Sequence, residues 1–276
     1  MPSCRAWRTG PQSRAGNSGA ELMGNNCNEF KRRLVNRESI VGTFIKTPSP
    51  ITAEVLGLSN LDAFCIDVEH APFGRLEIDL CIAAFRAADR PCLVRTANDS
   101  PTEIRNALDS GATGVLIPHV TTAAQAAAIA KAAHFGDGGR GFAGSTRAAD
   151  FTTKSMPEHL ADSRSQTAVI VQIEDLDALD NVAEIAAIDG VDAIFVGRID
   201  LAVAMGKAPS DETVIDTVKE ICSAANSVGT TVGMFTGDLT EIPDWRDAGA
   251  SLFLLSSDQS MILAGANALA DKVRGL

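Results

Sequence analysis

The chain has 276 residues, 45% hydrophobic and 21% charged, a composition typical of a globular protein with a sizeable core. A formal net charge of −11 at pH 7 excludes a general basic surface for nucleic-acid phosphates. Apolar runs fall short of the ~18 residues of a membrane-spanning helix. The six cysteines form no Cys-x-x-Cys pair, which favours reduced thiols and a cytoplasmic location.

The first 27 residues differ in composition from the rest of the chain. They are rich in Arg, Ser and Gly, carry no acid before Glu21, and lack the apolar centre of a secretory signal. Such a stretch buries too little apolar surface to offset the entropy of ordering. We therefore predict a disordered N-terminal extension over residues 1–27 and a single domain over residues 28–276.

From residue 40 onwards, short apolar or β-branched runs alternate with longer helical patterns. The predicted strands are 40–46, 62–67, 91–95, 113–118, 168–173, 191–197, 230–235 and 251–256. This alternation is typical of βα units around a parallel sheet. Eight units in about 240 residues predict a (β/α)8 TIM barrel. An open, doubly wound sheet is the alternative, because counting strands does not establish closure.

Polar side chains recur at the carboxyl ends of the predicted strands, where this barrel fold builds its active sites. Strand two ends in an acid with a histidine just beyond, strand three ends in an arginine, and acids follow strands five and six. The residues are Asp67, His70, Arg95, Gln172, Glu174, Gly197 and Asp200. Because the carboxyl ends of barrel strands meet at one end, we expect these side chains to share a mouth.

Two pairs among these residues indicate specific chemistry. The Asp67 carboxylate can orient the His70 imidazole and raise its basicity, although such a pair could also only close a turn. Glu174 and Asp200 could hold one divalent cation through hard oxygen ligands, or could pair with arginines at neighbouring strand ends. The spacing alone leaves both alternatives open.

Other polar motifs carry less information. GDGGRG at residues 136–141 has the letters of a dinucleotide fingerprint, but it follows a predicted helix where that fingerprint requires a strand. We interpret it as a glycine-rich loop by the barrel mouth, with Arg140 facing the site. The residues near the remaining histidines indicate no catalytic or metal-binding role for them, which favours structural or solvated roles. They are His119, His134 and His159.

Several motifs occur in a fixed order over roughly residues 30–274. They are I-D-x-E-H-A-P at 66–72, V-R at 94–95, L-I-P at 116–118, R-G-F at 140–142, V-Q-I-E at 171–174 and F-V-G-x-x-D-L at 195–201. In this order they resemble the metal-dependent class II pyruvate aldolases, which include 4-hydroxy-2-oxoheptanedioate aldolase and 2-dehydro-3-deoxyglucarate aldolase. Members of that family are generally (β/α)8 barrels.

The resemblance implies a role for each matching residue. A divalent metal, typically Mg²⁺, Mn²⁺ or Co²⁺, would be bound by Glu174 and Asp200. His70 would serve the proton transfers with Asp67 orienting it, and Arg95 would contact the keto oxygen of pyruvate. The residues implied to bind substrate are Arg95, Gln172 and Gly197.

The resemblance also implies an assembly. Family members are generally hexamers that exchange the last helix between neighbours, so a homo-oligomer is expected, and Asp109 matches a family aspartate that enters a neighbour's site. Two departures lie near the expected mouth. Arg198 stands where the family commonly has proline, and residues 144–156 follow the family pattern only in part. These departures leave the aldehyde partner open.

The implied reaction is reversible aldol cleavage of a 4-hydroxy-2-oxo acid to pyruvate and an aldehyde, with small molecules as the partners. Two alternatives remain at this point. A related acyl-CoA thioester lyase would need a basic cluster for the CoA phosphates. A non-catalytic barrel that binds an oxo acid would not need His70 as a base.

Overall fold

The computed structural model describes residues 26–275, in which eight parallel strands close into one barrel in chain order. The strands are β1 Ile40–Ile45, β2 Ala63–Asp67, β3 Cys92–Arg95, β4 Gly114–Ile117, β5 Ala168–Ile173, β6 Ala193–Val196, β7 Thr231–Thr236 and β8 Ala250–Ser257. Pairing of β1 with β8 closes the sheet, which confirms the predicted (β/α)8 barrel and excludes the open sheet. Residues 1–25 of the predicted extension lie outside the described residues, whereas Asn26 and Cys27 begin the first helix.

Helices surround the barrel and connect successive strands. They are α1 Asn26–Val35, α2 Pro50–Gly57, α3 Arg75–Ala87, α4 Pro101–Asp109, α5 Ala123–Ala133, α6 Met156–Gln166, α7 Val182–Ala186, α8 Arg198–Ala204, α9 Glu212–Ser227, α10 Ile242–Asp247 and α11 Asp258–Arg274. The hydroxyls of Ser49, Ser100 and Thr122 accept main-chain hydrogen bonds in the first turns of α2, α4 and α5. These caps satisfy donors that a helix leaves free and fix where each helix begins after its strand.

The alternation of side chains along the strands divides the core into two layers. Outward-facing residues such as Phe64 and Ile66 pack against the helices, whereas inward-facing residues such as Cys65 and Phe195 fill the barrel. Phe30 of α1 is fully buried with the inner layer. The barrel interior is therefore a packed core, and side chains available for binding or catalysis are confined to the strand ends.

The same alternation explains why polar residues from different strands converge. Asp67, Arg95 and Gln172 each lie two residues beyond an inward-facing apolar residue of the same strand, so their side chains also point into the barrel. All three are buried. The inner layer thus changes from apolar to polar at the carboxyl end of the barrel.

The last helix, α11, packs differently from the others. Of its described residues only Asp258 is buried, and the Asp258 carboxylate accepts hydrogen bonds from the main-chain nitrogens of Lys46 and Thr47. Beyond this anchor the helix exposes large apolar side chains, including Ile262 and Leu269. Within residues 26–275, none of the helices has the length and apolar character needed to cross a membrane.

Candidate active site

A cavity of about 470 Å³ opens at the carboxyl end of the barrel. Its apolar wall is formed by Phe44, Phe195 and Phe235. Its polar lining comes from six strand ends or following loops and consists of Lys46, His70, Arg95, Gln172, Arg198, Asp200, Ser256, Ser257 and Ser260. A larger groove of about 840 Å³ lies between α5, α6 and the start of β6 at the other end, away from the polar strand ends. The mouth cavity is therefore where the predicted site residues meet.

Asp67 and Arg95 form the buried ionic centre of the mouth. The Asp67 carboxylate accepts from Arg95 Nε at 3.0 Å and Nη2 at 2.9 Å, and Lys46 Nζ lies 3.2 Å from the same carboxylate. Burial opposes the ionisation of Asp67, but the hydrogen bonds and charge of Arg95 outweigh it and hold the pKa of Asp67 below its ordinary 3.8. Both groups of the pair therefore stay charged at neutral pH.

His70 stands at the solvent edge of this centre. Its main-chain nitrogen donates to Asp67 Oδ1 at 3.1 Å, and its imidazole Nε2 lies 3.7 Å from Glu69 Oε2. The ring is 54% exposed and lines the mouth cavity. Asp67 therefore orients His70 through its backbone, because the carboxylate is already occupied by Arg95 and Lys46, and Glu69 is the acid nearest to the ring.

Glu174 is the most buried of the three acids around His119, with a side chain only 2% exposed. It accepts a hydrogen bond from the Gln172 amide and another from the main-chain nitrogen of His119. Burial raises the pKa of Glu174 above its ordinary 4.5 against these hydrogen bonds, and the nearby charge of Asp200 adds to the rise. A buried carboxylate that faces other acids is a position where a cation would be favourable.

Two residues that sequence reasoning left without a role complete this cluster. Glu69, Glu174 and His119 each offer one donor atom, and these atoms all lie within 4.8 Å of one another. His119 Nε2 is 3.3 Å from Glu69 Oε1, and His119 Nδ1 is 3.0 Å from Asp175 Oδ2. Their positions in the sequence were the signal that indicated a place at the mouth, because Glu69 and His119 both follow a strand end by two residues.

The predicted metal ligands Glu174 and Asp200 approach the mouth from β5 and α8. Asp200 is exposed, lines the cavity in the first turn of α8, and influences Glu174 through its charge, but the compact donor group consists of Glu69, His119 and Glu174. Gly197 precedes α8, and a Cβ there would lie 2.6 Å from Glu174 Oε2. Glycine at position 197 therefore leaves room for the Glu174 carboxylate, which any larger side chain would displace.

The donor set fits a divalent cation. Two carboxylates and an imidazole are ligand types that divalent metals accept, and oxygen donors suit Mg²⁺ and Mn²⁺ in particular. Glu69 Oε2 is buried and has no hydrogen-bond partner within the described residues, although Arg95 Nη1 lies 3.3 Å away. An unsatisfied buried oxygen beside two other donors is an arrangement that an ion would complete.

Two segments that were predicted at the mouth instead lie, together with Asp109, at the opposite end of the barrel. Asp109 is the last residue of α4 and pairs with Arg140, whose Nε lies 3.1 Å from Asp109 Oδ1. Residues 136–141 and 144–156 join α5 to β5, and helix-to-strand connections return to the amino end of a barrel. The predictions that Arg140 faces its own chain's site and that 144–156 borders the mouth are therefore wrong.

Arg198 does lie at the mouth, but it is not free. Its guanidinium forms a two-pronged pair with Glu241, at 3.0 and 2.7 Å, and lies 5.4 Å from the centre of the Trp245 ring. Glu241 also accepts hydrogen bonds from Thr236 and Trp245. This network ties the start of α8 to the segment after β7 and forms one rim of the cavity.

The fold and the site together define an enzyme of the barrel lyase type, with its polar groups at the carboxyl ends of the strands. Residues 41–264 match the HpcH/HpaI aldolase/citrate lyase family. The chain belongs to that family and is an aldolase, which confirms the resemblance seen in its motifs.

Relatives of known name and structure extend over nearly the whole chain. The 5-keto-4-deoxy-D-glucarate aldolase of Salmonella arizonae is 36% identical over 247 residues, which cover 88% of this chain and 96% of that protein. The structure of an HpcH/HpaI aldolase/citrate lyase family protein from Burkholderia cenocepacia is 33% identical, with a TM-score of 0.84 over 90% of this chain and 99% of the other. The HpcH/HpaI aldolase from Desulfitobacterium hafniense is 26% identical, with a TM-score of 0.83 over 89% and 96%.

Proposed function

We propose that this aldolase cleaves a 4-hydroxy-2-oxo acid reversibly into pyruvate and an aldehyde, with a divalent metal ion at the barrel mouth. The observation that carries the proposal is that Arg95 and His70 line one cavity, and that Arg95 also contacts the donor group to which Glu174 belongs. A buried cation, an imidazole base and a cluster of metal-type ligands are the groups that aldol cleavage of an oxo acid requires. The relative from Salmonella arizonae, named for cleavage of 5-keto-4-deoxy-D-glucarate, supports a sugar-acid substrate.

Glu174 and Asp200 are the proposed ligands of the ion, which would be Mg²⁺, Mn²⁺ or Co²⁺. When bound, the ion supplies Lewis-acid polarisation of the oxo group and neutralises the surrounding carboxylates. Gln172 holds Glu174 in place through its amide N–H, and Gly197 leaves room for that carboxylate. Gln172 Oε1, buried without a hydrogen-bond partner among the described residues, is available to a substrate group.

Arg95 is proposed to stabilise the charge that develops on the keto oxygen of pyruvate. Asp67 occupies Nε and Nη2, which fixes the plane of the guanidinium and leaves Nη1 directed toward Glu69 and the metal cluster. The guanidinium also lies 4.6 Å from the centre of the Phe44 ring. A donor that is already oriented stabilises the transition state without rearranging during the reaction.

His70 is proposed as the general base in cleavage. The imidazole removes the proton of the 4-hydroxyl group while the C3–C4 bond breaks, and the hydroxyl oxygen becomes the aldehyde carbonyl oxygen. The electron pair of the broken bond remains with the pyruvate fragment as its enolate, and a proton added at C3 then completes pyruvate. In condensation His70 returns the proton to the new hydroxyl group.

A Schiff-base mechanism is disfavoured by the state of the lysine at the mouth. Lys46 Nζ lies 3.2 Å from the Asp67 carboxylate, so the lysine at the mouth is engaged in an ion pair. A lysine that forms a Schiff base must instead be free to attack the oxo carbon. The proposed chemistry therefore uses the metal ion instead of a covalent imine.

Neither alternative function gains support from the mouth. A thioester lyase needs cations for the phosphates of CoA, but Lys46, Arg95 and Arg198 at the cavity each pair with a carboxylate. A protein that only binds an oxo acid has no use for an exposed imidazole beside the cluster. The proposed partners are a 2-oxo acid and an aldehyde, and a cytoplasmic location stays a prediction.

The proposed assembly is a homo-oligomer, a hexamer by family resemblance. Large apolar side chains are exposed along α11, with Ile262, Leu263 and Leu269 each more than 60% exposed. Ile51 on α2 and Leu58 immediately after it are at least 70% exposed, which leaves an apolar surface on which a neighbour's α11 is proposed to pack. Asp109, at the amino end, is proposed to approach a neighbouring subunit's mouth in that assembly.

The test is pyruvate release from 5-keto-4-deoxy-D-glucarate and from 4-hydroxy-2-oxoheptanedioate by EDTA-treated protein, before and after addition of Mg²⁺, Mn²⁺ or Co²⁺. We expect release only with added ion and faster release from one substrate, which identifies the aldehyde. Equal release in EDTA would exclude the metal-dependent mechanism. If no ion restores release and the protein fails to exchange the methyl protons of pyruvate, the proposed function is wrong.

A further inference from the structure

His119 occupies a backbone conformation that its residue type rarely adopts. It lies two residues beyond β4 with φ = 56°, in the left-handed region where a residue other than glycine is strained. Its main-chain nitrogen donates to Glu174 Oε1 at 3.0 Å. The strained turn therefore holds this residue directly against the most buried acid of the metal cluster.

The His119 ring is oriented at one nitrogen and directed into the cluster at the other. Nδ1 lies 3.0 Å from Asp175 Oδ2, at hydrogen-bonding distance, and 3.4 Å from Glu174 Oε1, whereas Nε2 lies 3.3 Å from Glu69 Oε1. In metal sites, a carboxylate that accepts from one ring nitrogen fixes the tautomer and leaves the other nitrogen as the ligand. Asp175 stands in that relation to His119.

Glu69 provides a second, independent indication of a ligand at this position. Its side chain is nine-tenths buried, and its Oε2 has no hydrogen-bond partner among residues 26–275, although Arg95 Nη1 lies 3.3 Å from it. Its other oxygen faces the His119 ring, while the donor atoms of Glu69, His119 and Glu174 stay within 4.8 Å of one another. A buried carboxylate with one oxygen beside Arg95 and the other beside the His119 ring thus shares a small volume with an oriented imidazole.

We propose that His119, oriented by Asp175, is a nitrogen ligand of the catalytic ion and gives this enzyme a strong preference for Co²⁺ over Mg²⁺. The inference rests on the proposed function only in assuming that an ion binds at the mouth. Carboxylate and water ligands alone suit Mg²⁺, which accepts nitrogen poorly, whereas an imidazole stabilises Co²⁺ much more. The side chain after the fourth strand then selects the ion, a role separate from the chemistry of Arg95 and His70.

The experiment measures ion binding without substrate, so it does not depend on turnover. Metal-free wild type, His119→Asn and His119→Gly are titrated calorimetrically with CoCl₂ and, separately, with MgCl₂. Asparagine and glycine both tolerate positive φ, so each variant keeps the turn and the main-chain hydrogen bond to Glu174 while losing the imidazole. His134→Asn is the control, because His134 follows α5 at the other end of the barrel.

We expect the Co²⁺ dissociation constant to rise about tenfold to hundredfold in both variants, the usual range for loss of a group that supports a metal site. The Mg²⁺ constant is expected to change less than about threefold, because Mg²⁺ gains little from nitrogen. The visible absorption bands of bound Co²⁺ should also shift in both variants. His134→Asn should match wild type in every measurement.

Other outcomes overturn the inference and are distinguishable from failure of the proposed function. Equal losses for both ions would mean that His119 acts only through structure or charge. Tighter Co²⁺ binding in the variants would mean that the ring competes with the ion for the carboxylates. A third outcome separates the two proposals. If wild type binds Co²⁺ through His119 but releases no pyruvate, the role of His119 stands and the proposed reaction is wrong.

Discussion

The Asp67 carboxylate and the Arg95 guanidinium form a two-pronged ion pair across adjacent strands, with Asp67 fully buried and the Arg95 side chain 8% exposed. The two residues are also register partners in the β2–β3 ladder. Rigid strands therefore set the direction of the guanidinium before substrate arrives. The same ion pair therefore stabilises the barrel and orients the Arg95 guanidinium, which is proposed to contact the keto oxygen.

Asp67→Ala should destabilise the protein strongly. Removal of this partner leaves the buried Arg95 charge with only Glu69 beside it, and loss of one partner of a buried pair costs about 3–5 kcal/mol. Urea unfolding followed by circular dichroism measures this loss. Glu29→Ala, which breaks an exposed ion pair with Arg32 on α1, is the control and should move the midpoint far less. A midpoint for Asp67→Ala close to that of the control would contradict the assigned strength of the pair.

The same pair has a definite pH dependence. The folded-state pKa of Asp67 is lowered, so its contribution to stability is fully present above its unfolded value of about 3.8 and is lost as pH falls through the folded value. Between pH 7 and pH 5 the contribution should stay constant. In Asp67→Asn the acid-induced loss of stability below pH 4 should be shallower than in wild type, as measured by melting temperature against pH.

Glu174→Gln should stabilise the metal-free protein while removing the gain from metal. The pKa of Glu174 is raised, so the stability from its protonated form is present at acidic pH and lost as pH rises through the folded-state value. At pH 7 the uncompensated charge therefore costs stability, and a neutral amide does not. An ion at a hundred times its dissociation constant adds about 2.7 kcal/mol to wild type.

Differential scanning calorimetry at pH 7, with EDTA or with CoCl₂, tests this expectation. The variant should melt above wild type in EDTA and show little further rise with Co²⁺. Glu184→Gln on the exposed surface of α7 is the control and should behave as wild type. A full Co²⁺-dependent rise in Glu174→Gln would show that the ion binds without this carboxylate.

His70→Asn should separate ion binding from proton transfer. Loss of a positioned acid–base group typically lowers turnover by about 10²- to 10⁴-fold. The Co²⁺ dissociation constant should stay close to wild type, since the compact donor group consists of Glu69, His119 and Glu174. Pyruvate release and calorimetric Co²⁺ titration on the same preparation measure both quantities. Near-normal turnover in this variant would remove His70 from the mechanism.

Gly197→Ala should weaken the metal site although it replaces none of the proposed ligands. The added methyl group would lie 2.6 Å from both Cβ and Oε2 of Glu174, closer than packed atoms tolerate, so the carboxylate must move. We expect at least about a tenfold loss of ion affinity, as for other changes that disturb the support of a ligand. Gly237→Ala is the matched control, because Gly237 lines the same cavity and a Cβ there meets nothing within 4 Å. Equal affinities in the two variants would show that Glu174 tolerates the displacement.

The barrel was predictable because each strand is a short apolar run flanked by turn residues, and all eight predicted segments overlap the observed strands with ends differing by at most two residues. The convergence of Asp67, Arg95 and Gln172 was predictable for the same reason, since two-residue alternation continues to the last residue of a strand. Regular geometry thus carries both the fold and part of the site.

Alternation no longer applies in the loops, and there the sequence was less informative. His119 reaches the cluster through a left-handed turn that its residue type does not indicate. Glu69 faces the metal group although its neighbour His70 turns toward solvent. Arg140 was predicted at the mouth because residues 136–141 were interpreted as a glycine-rich loop there, whereas its position between a helix and a strand determines that it lies at the amino end.

The exposed apolar residues of α11 lead to a prediction about assembly. Ile262→Lys combined with Leu269→Lys puts two charges on the face that is proposed to pack against a neighbour. Both side chains are more than 60% exposed in the single chain, so the double substitution should leave the folded subunit intact. Desolvation of lysine in an apolar interface is unfavourable, so the assembly should dissociate.

Size-exclusion chromatography with light scattering tests this expectation, and circular dichroism reports whether the subunit stays folded. The double variant should elute near the subunit mass of 28.9 kDa, whereas wild type should elute as a multiple of it. Asn267→Lys adds a charge at an exposed polar position of the same helix and should leave the mass of wild type unchanged. A double variant that keeps the oligomeric mass would show that α11 does not hold the subunits together. Pyruvate release by the dissociated variant then reports on Asp109, because activity retained in a monomer would mean that no neighbour's residue is needed at the mouth.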